Sequence, residues 1–122
     1  MFRIALTALV LSPLSLHAAA AEAHHGWAWT TGKNIEIAGR VTETRLGNPH
    51  GVLTVDVKGQ AWTVEVGQPW RNERAGLKDA DLAPGAVIRV VGEPSADPKA
   101  RLLKAERIFI GKRRFDLYPE RD

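Results

Sequence analysis

Three histidines are the residues of this chain best suited to chemistry. His24 and His25 follow Ala23 directly, and His50 lies in a stretch rich in turn residues. Cleavage after Ala23 would make His24 the amino terminus, whose free amine and imidazole Nδ1 can close one chelate ring. Both groups lose their protons near neutral pH. A third nitrogen from His50 or His25 would complete an all-nitrogen site that favours Cu(II), with Zn(II) or Ni(II) as alternatives.

Residues 1–23 have the three parts of a secretory signal peptide: a positive start, an apolar run, and a small-residue end with an Ala-x-Ala pattern. The apolar run is too short and too interrupted to span a membrane. We therefore predict an exported, periplasmic protein without a membrane span. Cleavage after Ala18 or Ala20 instead would leave His24 internal, so the cleavage site decides whether the chelate can form.

Composition limits the kinds of site that the mature chain can hold. Residues 24–122 make 99 residues, enough for a single small domain. The chain has no cysteine, and its one methionine is Met1. These facts exclude disulfides, thiolate metal sites and thiol nucleophiles, and they disfavour Cu(I). The net charge of +3 is mild, and for an exported protein we expect no nucleic-acid partner.

Short alternating apolar segments, separated by turn residues, predict a β-rich domain. Gly39 is a candidate for a bulge or a bend in the first strand. Three strands, one short helix and further strands indicate a five-stranded OB-like Greek-key barrel, with a β-sandwich as the alternative. The predicted strands are 35–45, 52–57, 61–66, 86–93, 102–110 and 113–118, and the predicted helix is 70–80.

Four tryptophans and one glutamate are further candidates. Trp62 alternates inward and is expected in the core, whereas Trp27, Trp29 and Trp70 could line a ligand groove. The plainer interpretation, which we favour, is that Trp27 or Trp29 closes one end of the barrel. Glu65 points to the opposite face from its apolar neighbours. It is a candidate outer metal ligand or an acceptor for a histidine's second nitrogen, although such positions are more often solvated.

Five motifs follow one another along the chain: His24-His25, Asn48-Pro49-His50, Trp62-x-Val64-Glu65-Val66-Gly67-x-Pro69, Leu82-x-Pro84-Gly85 and Val90-x-Gly92. Their order and spacing resemble DUF6152, a family of exported bacterial proteins of unknown function. The resemblance covers most of the mature chain and implies export and a small β-domain, but no activity. The pair Gly26-Trp27 departs from the Ser-Phe pair that is often found in the family.

These observations favour a periplasmic metal-binding domain over an enzyme. Its metal, preferably Cu(II), would be held by His24, His50 and His25 for metal handling or delivery. The alternative is a metal-free module that presents its groove and tryptophans to an envelope protein or another ligand. A copper oxidase is a third hypothesis. The chain carries no Ser-His-Asp ordering, phosphate loop or nucleotide fingerprint.

Overall fold

The computed structural model describes residues 26–121 of the 122. The predicted signal peptide and both His24 and His25 therefore lie outside the described residues, and their roles stay predictions. The described chain forms six strands, one α-helix and one 3-10 helix. These are β1 (Ile35–Arg45), β2 (Val52–Val57), β3 (Gln60–Glu65), α1 (Pro69–Arg74), the 3-10 helix (Asp79–Leu82), β4 (Val87–Pro94), β5 (Leu102–Ile110) and β6 (Arg113–Asp116).

Strand pairing closes five of the strands into a barrel. β1 pairs antiparallel with β2 and β4, β2 with β3, and β4 with β5. A parallel pairing of β3 with β5 completes the ring. β6 adds to the far part of β5 as a short antiparallel extension. The predicted OB-like barrel is confirmed, and the closed ring rules out the alternative of a β-sandwich.

The helical segment between β3 and β4 is shorter than predicted. Pro69 occupies the first turn of α1, where its missing N–H is not needed. The helix ends at Arg74 because Gly76 adopts a φ of +83°, a left-handed conformation that stops helices. The expected helix over 70–80 is thus α1 followed by a separate 3-10 helix. Within residues 26–121, no helix is long and apolar enough to cross a membrane.

The barrel interior is filled by the apolar residues that alternate along the strands. Leu53, Val55, Val64 and Leu103 are fully buried, as the alternation predicted. Trp62, which was expected in the core, is partly buried and packs against it. The core also includes Ile37, Val41, Val66, Leu77, Leu82, Ile88, Val90, Ala105, Ile108, Phe115, Leu117 and Tyr118.

Two glycines allow strands to approach closely. The bulge predicted as one alternative for Gly39 is wrong, because the register of β1 shifts between Val41 and Glu43. Gly39 is needed for space instead, since a Cβ there would lie 2.1 Å from the carbonyl oxygen of Asp56. Gly92 meets the same constraint, with a Cβ position 2.1 Å from the carbonyl oxygen of Lys104.

A second bulge turns a glutamate into the protein. Gly92 pairs with Ala105 and Val91 with Arg107, so Glu106 is the extra residue on β5. Ala105 and Glu106 are consequently both buried, although they are consecutive in a strand. The bulge therefore places a carboxylate where simple alternation would place an exposed side chain.

The buried carboxylates tie together both ends of the described chain. Arg121 donates to Glu93 Oε2 (2.7 Å) and to Glu106 Oε1 (3.3 Å). Thr30 donates to Glu93 at 3.0 Å, and Asn34 donates to Glu106 at 2.7 Å. We call these five residues the terminal clasp. It supplies the hydrogen bonds that two buried carboxylates require.

Replacing Gly92 by alanine is expected to destabilise the barrel. The added Cβ would meet backbone of the adjoining strand, which cannot move as a flexible side chain could. We expect the free energy of unfolding to fall by about 2 kcal/mol or more. Urea unfolding would measure it, with Ala38→Ser on the exposed face of β1 as the control. An unchanged midpoint in Gly92→Ala would show that the strands can separate without cost.

The terminal clasp predicts a pH-dependent effect of Arg121→Met. Burial raises the pKa of Glu93, but hydrogen bonds from Arg121 and Thr30 outweigh it and hold that pKa below its ordinary value. Such a carboxylate stabilises the fold above its unfolded pKa, and the stabilisation is lost as pH falls through the folded pKa. At about pH 7 we expect Arg121→Met to cost about 2 kcal/mol, less than for a fully buried pair because Arg121 is 36% exposed.

The cost of Arg121→Met should shrink at about pH 4. A protonated Glu93 no longer needs the guanidinium, so the variant and the wild type converge in stability. Urea unfolding at both pH values would test this expectation, with the exposed Arg101→Met as the control. A difference between Arg121→Met and wild type that is as large at about pH 4 as at about pH 7 would contradict it.

Candidate functional site

His50 and Glu65 meet at one rim of the barrel. His50 lies in the loop between β1 and β2, and Glu65 is the last residue of β3. The loop is held to the end of β3 by two backbone hydrogen bonds, Gly51 N to Gly67 O (3.1 Å) and Val66 N to Gly51 O (2.9 Å). These hydrogen bonds place His50 Nε2 3.1 Å from Glu65 Oε1.

The His50 ring is oriented through both of its nitrogens. While Nε2 faces Glu65, Nδ1 lies 3.2 Å from the carbonyl oxygen of Gly51. The side chain of His50 is 24% exposed and that of Glu65 is 9% exposed. The imidazole is therefore fixed by its neighbours and still open to solvent on one side.

Gly51 leaves little room for a side chain beside His50. A Cβ at Gly51 would lie 2.6 Å from Val66 Cγ2 and 2.8 Å from Leu46 Cδ2. The absence of a side chain allows the loop to lie flat against the end of β3. The hydrogen bonds of Gly51 that position His50 depend on this close approach.

A small cavity adjoins His50. Its volume is about 130 Å³, and its walls include Gly26, His50, Gln68, Lys104 and Tyr118. Gly26 is the first described residue. The start of the described chain and the β1–β2 loop thus border the same space.

Lys104 links the barrel to the start of the described chain. It pairs with Glu65 in the parallel β3–β5 ladder, and its Nζ donates to the carbonyl oxygen of Gly26 at 2.7 Å. The ammonium also lies 4.7 Å from the centre of the Trp27 ring. Burial lowers the pKa of Lys104, whereas the nearby Glu65 carboxylate acts to raise it.

Aromatic and cationic side chains alternate along the same rim. The rings of Trp27 and Tyr118 meet edge to face, with centres 5.0 Å apart. The Arg71 guanidinium lies 4.1 Å from the Tyr118 ring and 4.5 Å from the Trp70 ring. Arg121 covers Trp27 at 3.9 Å. Burial raises the pKa of the Tyr118 hydroxyl.

The structure brings together some of the residues singled out from the sequence and separates others. His50 and Glu65 are in contact, and Trp27 packs near them against the barrel core. Trp27 and Trp29 lie in a turn, which is closed by a hydrogen bond from Thr30 N to Trp27 O. Trp70 is 51% exposed, at the start of α1.

Lys104 and Tyr118 are site residues that the sequence analysis missed. Tyr118 could have been noticed as the single tyrosine of the chain. Lys104 could have been placed beside Glu65 only by assuming that β3 and β5 pair in parallel, as in an OB-like barrel. Across residues 26–121, no group of three or more His, Asp or Glu side chains is placed to hold a metal ion. His24 and His25 lie outside that range.

Solved structures of other proteins are similar in fold. One chain of the S. pombe Stn1-Ten1 complex matches with a TM-score of 0.52 and 21% identity, over 66% of this chain and 59% of that chain. The agmatidine synthetase TiaS, in complex with tRNA, AMPCPP and agmatine, matches with a TM-score of 0.49 and 22% identity. That match covers 64% of this chain but only 18% of TiaS.

At these identities, the likeness to the Stn1-Ten1 chain shows the fold alone. No curated protein matches the chain. The sequence model of DUF6152, a family of unknown function, matches residues 12–104, and the chain belongs to this family.

Proposed function

We propose that this protein is an exported metal-binding domain that holds Cu(II) at the barrel rim for metal handling or delivery. The observation that carries the proposal is the 3.1 Å separation of His50 Nε2 and Glu65 Oε1. Metal–nitrogen and metal–oxygen bonds of about 2.0–2.2 Å place neighbouring ligands of one ion roughly 3 Å apart. An ion could therefore bind both atoms with little movement of either side chain.

The surroundings of His50 suit a metal ligand. A proton on Nδ1 would be donated to the Gly51 carbonyl, which leaves the Nε2 lone pair directed to the side of Glu65. Ligating histidines commonly donate their second N–H to a backbone carbonyl or a carboxylate, which fixes the tautomer and the ring. Glu65 would then serve as a ligand beside His50 rather than as its hydrogen-bond acceptor.

The remaining ligands would come from the amino terminus. Gly26 borders the cavity that His50 also lines, and His25 is bonded to Gly26. Two residues extend at most about 7 Å, so the nitrogens of His24 and His25 are within chain reach of the cavity. An amine, imidazoles and one carboxylate form a hard-to-borderline ligand set without sulfur, which favours Cu(II) among the divalent ions.

The exposure of His50 favours a site that exchanges its metal over a site that holds the metal permanently. The His50 side chain is 24% open to solvent, so a bound ion could be reached by a competing ligand. Metal transfer needs such access. A ligand exchange of this kind would suit a carrier in the periplasm, where the predicted signal peptide would direct the chain.

The correctly processed protein should bind one Cu(II) per chain. We expect intact-mass analysis to give the mass of a chain that begins at His24, with one copper ion added. The Cu(II) EPR spectrum should show splitting by several coordinated nitrogens. His50→Ala and Glu65→Gln should each weaken binding about tenfold or more. Glu73→Gln, which changes an exposed carboxylate on α1 to a carboxamide, is the matched control and should bind Cu(II) like wild type.

Two results would contradict the metal proposal. If the measured mass shows that the mature chain begins at Glu22 or earlier, the amino-terminal chelate cannot form. If the protein begins at His24 but takes up no Cu(II), the proposed metal-binding function is wrong.

A second candidate function rests on Trp70. This ring is half-exposed at the barrel rim and is backed by the Arg71 guanidinium, which is itself packed on Tyr118 and donates to Leu117 O at 3.0 Å. Exposed tryptophans held rigidly from behind are common anchors of protein interfaces. The domain could therefore dock an envelope protein without any metal.

Trp70→Ala separates the two functions. If the rim docks a partner, Trp70→Ala should reduce capture of envelope proteins by the immobilised mature domain and leave Cu(II) affinity unchanged. His50→Ala should do the reverse. Equal capture by wild type and Trp70→Ala would argue against the docking function.

A further inference from the structure

Four arginines lie on one outer face of the barrel, on the strands β1, β4, β5 and β6. Directly paired residues of antiparallel strands project from the same side of a sheet. Arg89 pairs with Phe109, which in turn pairs with Arg114. The alternate residues Ile88 and Ile108 are buried in the core, so this row points outward. We define the arginine face as Arg40, Val87, Arg89, Arg107, Phe109 and Arg114.

The ring of Phe109 orders the guanidinium groups around it. The guanidinium of Arg89 lies 4.0 Å from the centre of this ring, and that of Arg114 lies 6.0 Å from it. Such contacts favour a cation held over an aromatic ring. The side chains of Arg89 and Arg114 are nevertheless 48% and 54% exposed. Their positive groups are therefore held in place and still open to solvent.

Two carboxylates accompany the arginine face. Glu36 is paired with Arg89, and Asp116 accepts from both Arg107 and Arg114. Exposed ion pairs contribute little to stability, because water screens them and long side chains lose freedom in forming them. A guanidinium also has several N–H donors, and each of these contacts engages one of its nitrogens. The arginines can therefore bind a further anionic acceptor without first losing the barrel that positions them.

Arg40 and Val87 extend the face toward β1. They pair directly, and Val87 is two residues from Arg89 on β4. Arg40 donates to a neutral acceptor, the carbonyl oxygen of Gly85, at 2.9 Å. Val87 is 60% exposed, more than any other large apolar side chain within residues 26–121. An exposed apolar side chain thus lies between two cationic ones.

We propose that the arginine face docks the protein on the surface of an anionic phospholipid bilayer. Four arginines and two carboxylates give this face a net charge of +2, whereas the whole chain carries +3. Asp56 and Lys58, which border the face, cancel each other. Most of the positive surplus of the protein is therefore concentrated on one side. Guanidinium groups bind phosphate oxygens through paired hydrogen bonds, so lipid phosphates suit these side chains.

The layout of the face favours a bilayer over an acidic protein. The arginines are spread over four strands about 4.8 Å apart and do not converge on one pocket. Lipid headgroups move laterally and can match such a spacing, whereas a folded partner would need carboxylates at fixed positions. Val87 can enter the boundary between headgroups and acyl chains. The proposal goes beyond metal binding and is independent of it, because the arginine face includes none of the proposed Cu(II) ligands.

Vesicle co-sedimentation of the purified, processed protein tests the proposal. One set of vesicles contains equal parts of phosphatidylglycerol and phosphatidylcholine, and the other contains phosphatidylcholine alone. We expect binding to the anionic vesicles and none to the neutral ones. Binding should fall steeply when the salt concentration is raised from about 0.1 M to about 0.5 M, because salt screens exposed charges.

The decisive variant combines Arg89→Gln with Arg114→Gln. Basic residues near an anionic bilayer each strengthen binding severalfold, so the partition coefficient should fall about tenfold or more. The matched control combines Lys99→Gln with Arg101→Gln, which removes the same charge from exposed positions at the opposite end of the β4–β5 pair. We expect this control to lower partitioning by less than about threefold. Circular dichroism verifies that each variant is folded.

A second variant decides the matter if the first does not fold. It combines Arg40→Gln with Val87→Ser, both at exposed positions, and should lower partitioning about fivefold. Three results would overturn the proposal: no binding of the wild type to anionic vesicles, equal losses in the face variant and the Lys99/Arg101 control, or wild-type binding in a folded face variant. Tighter binding to soluble polyglutamate than to the vesicles would also overturn it, because the partner would then be an acidic polypeptide.

Discussion

The parallel ladder between β3 and β5 is the constraint on which the other features depend. Without it the sheet would be an open ribbon with two exposed edges, a hazard for so small a domain. With it, Glu65 lies beside Lys104, and the end of β3 comes under the β1–β2 loop that carries His50. The same closure thus buries the core and assembles the rim.

The second organising feature is a set of buried charges. Glu93 and Glu106 would each be costly inside the protein without hydrogen-bond donors, and the two ends of the described chain provide those donors. Thr30 and Asn34 come from the start and Arg121 from the end. These hydrogen bonds therefore fix the terminal segments in addition to the apolar contacts of Trp27, Leu117 and Tyr118.

Much of the fold could be predicted from the sequence. The bounds of β1, β2 and β5 agree with the alternating runs, because long period-2 patterns leave few competing interpretations. The predicted helix is too long, since nothing in its apolar spacing signals that Gly76 takes a positive φ. The barrel followed from the order of the elements.

The candidate site was only partly predictable. His50 stood out by residue type, and Glu65 by facing away from its apolar neighbours. The contributions of Lys104, Tyr118 and Arg121 arise from the bulge at Glu106 and from strand register, and register is not visible in any local pattern. The buried apolar residues of β5 are odd-numbered at Leu103 and Ala105 but even-numbered at Ile108. This break in the alternation is the signal from which the bulge could have been found.

The β3–β5 ladder also has a kinetic consequence. Glu65 and Lys104 are 39 positions apart, so their pairing closes one of the larger loops of the chain and carries a corresponding entropic cost. Pairings of such long range slow folding, because the entropy of loop closure opposes them. The antiparallel meander of β1 to β3 can assemble from neighbouring residues, whereas the rim exists only once β5 has docked. The pairing of Glu65 with Lys104 would therefore report the closure of the barrel.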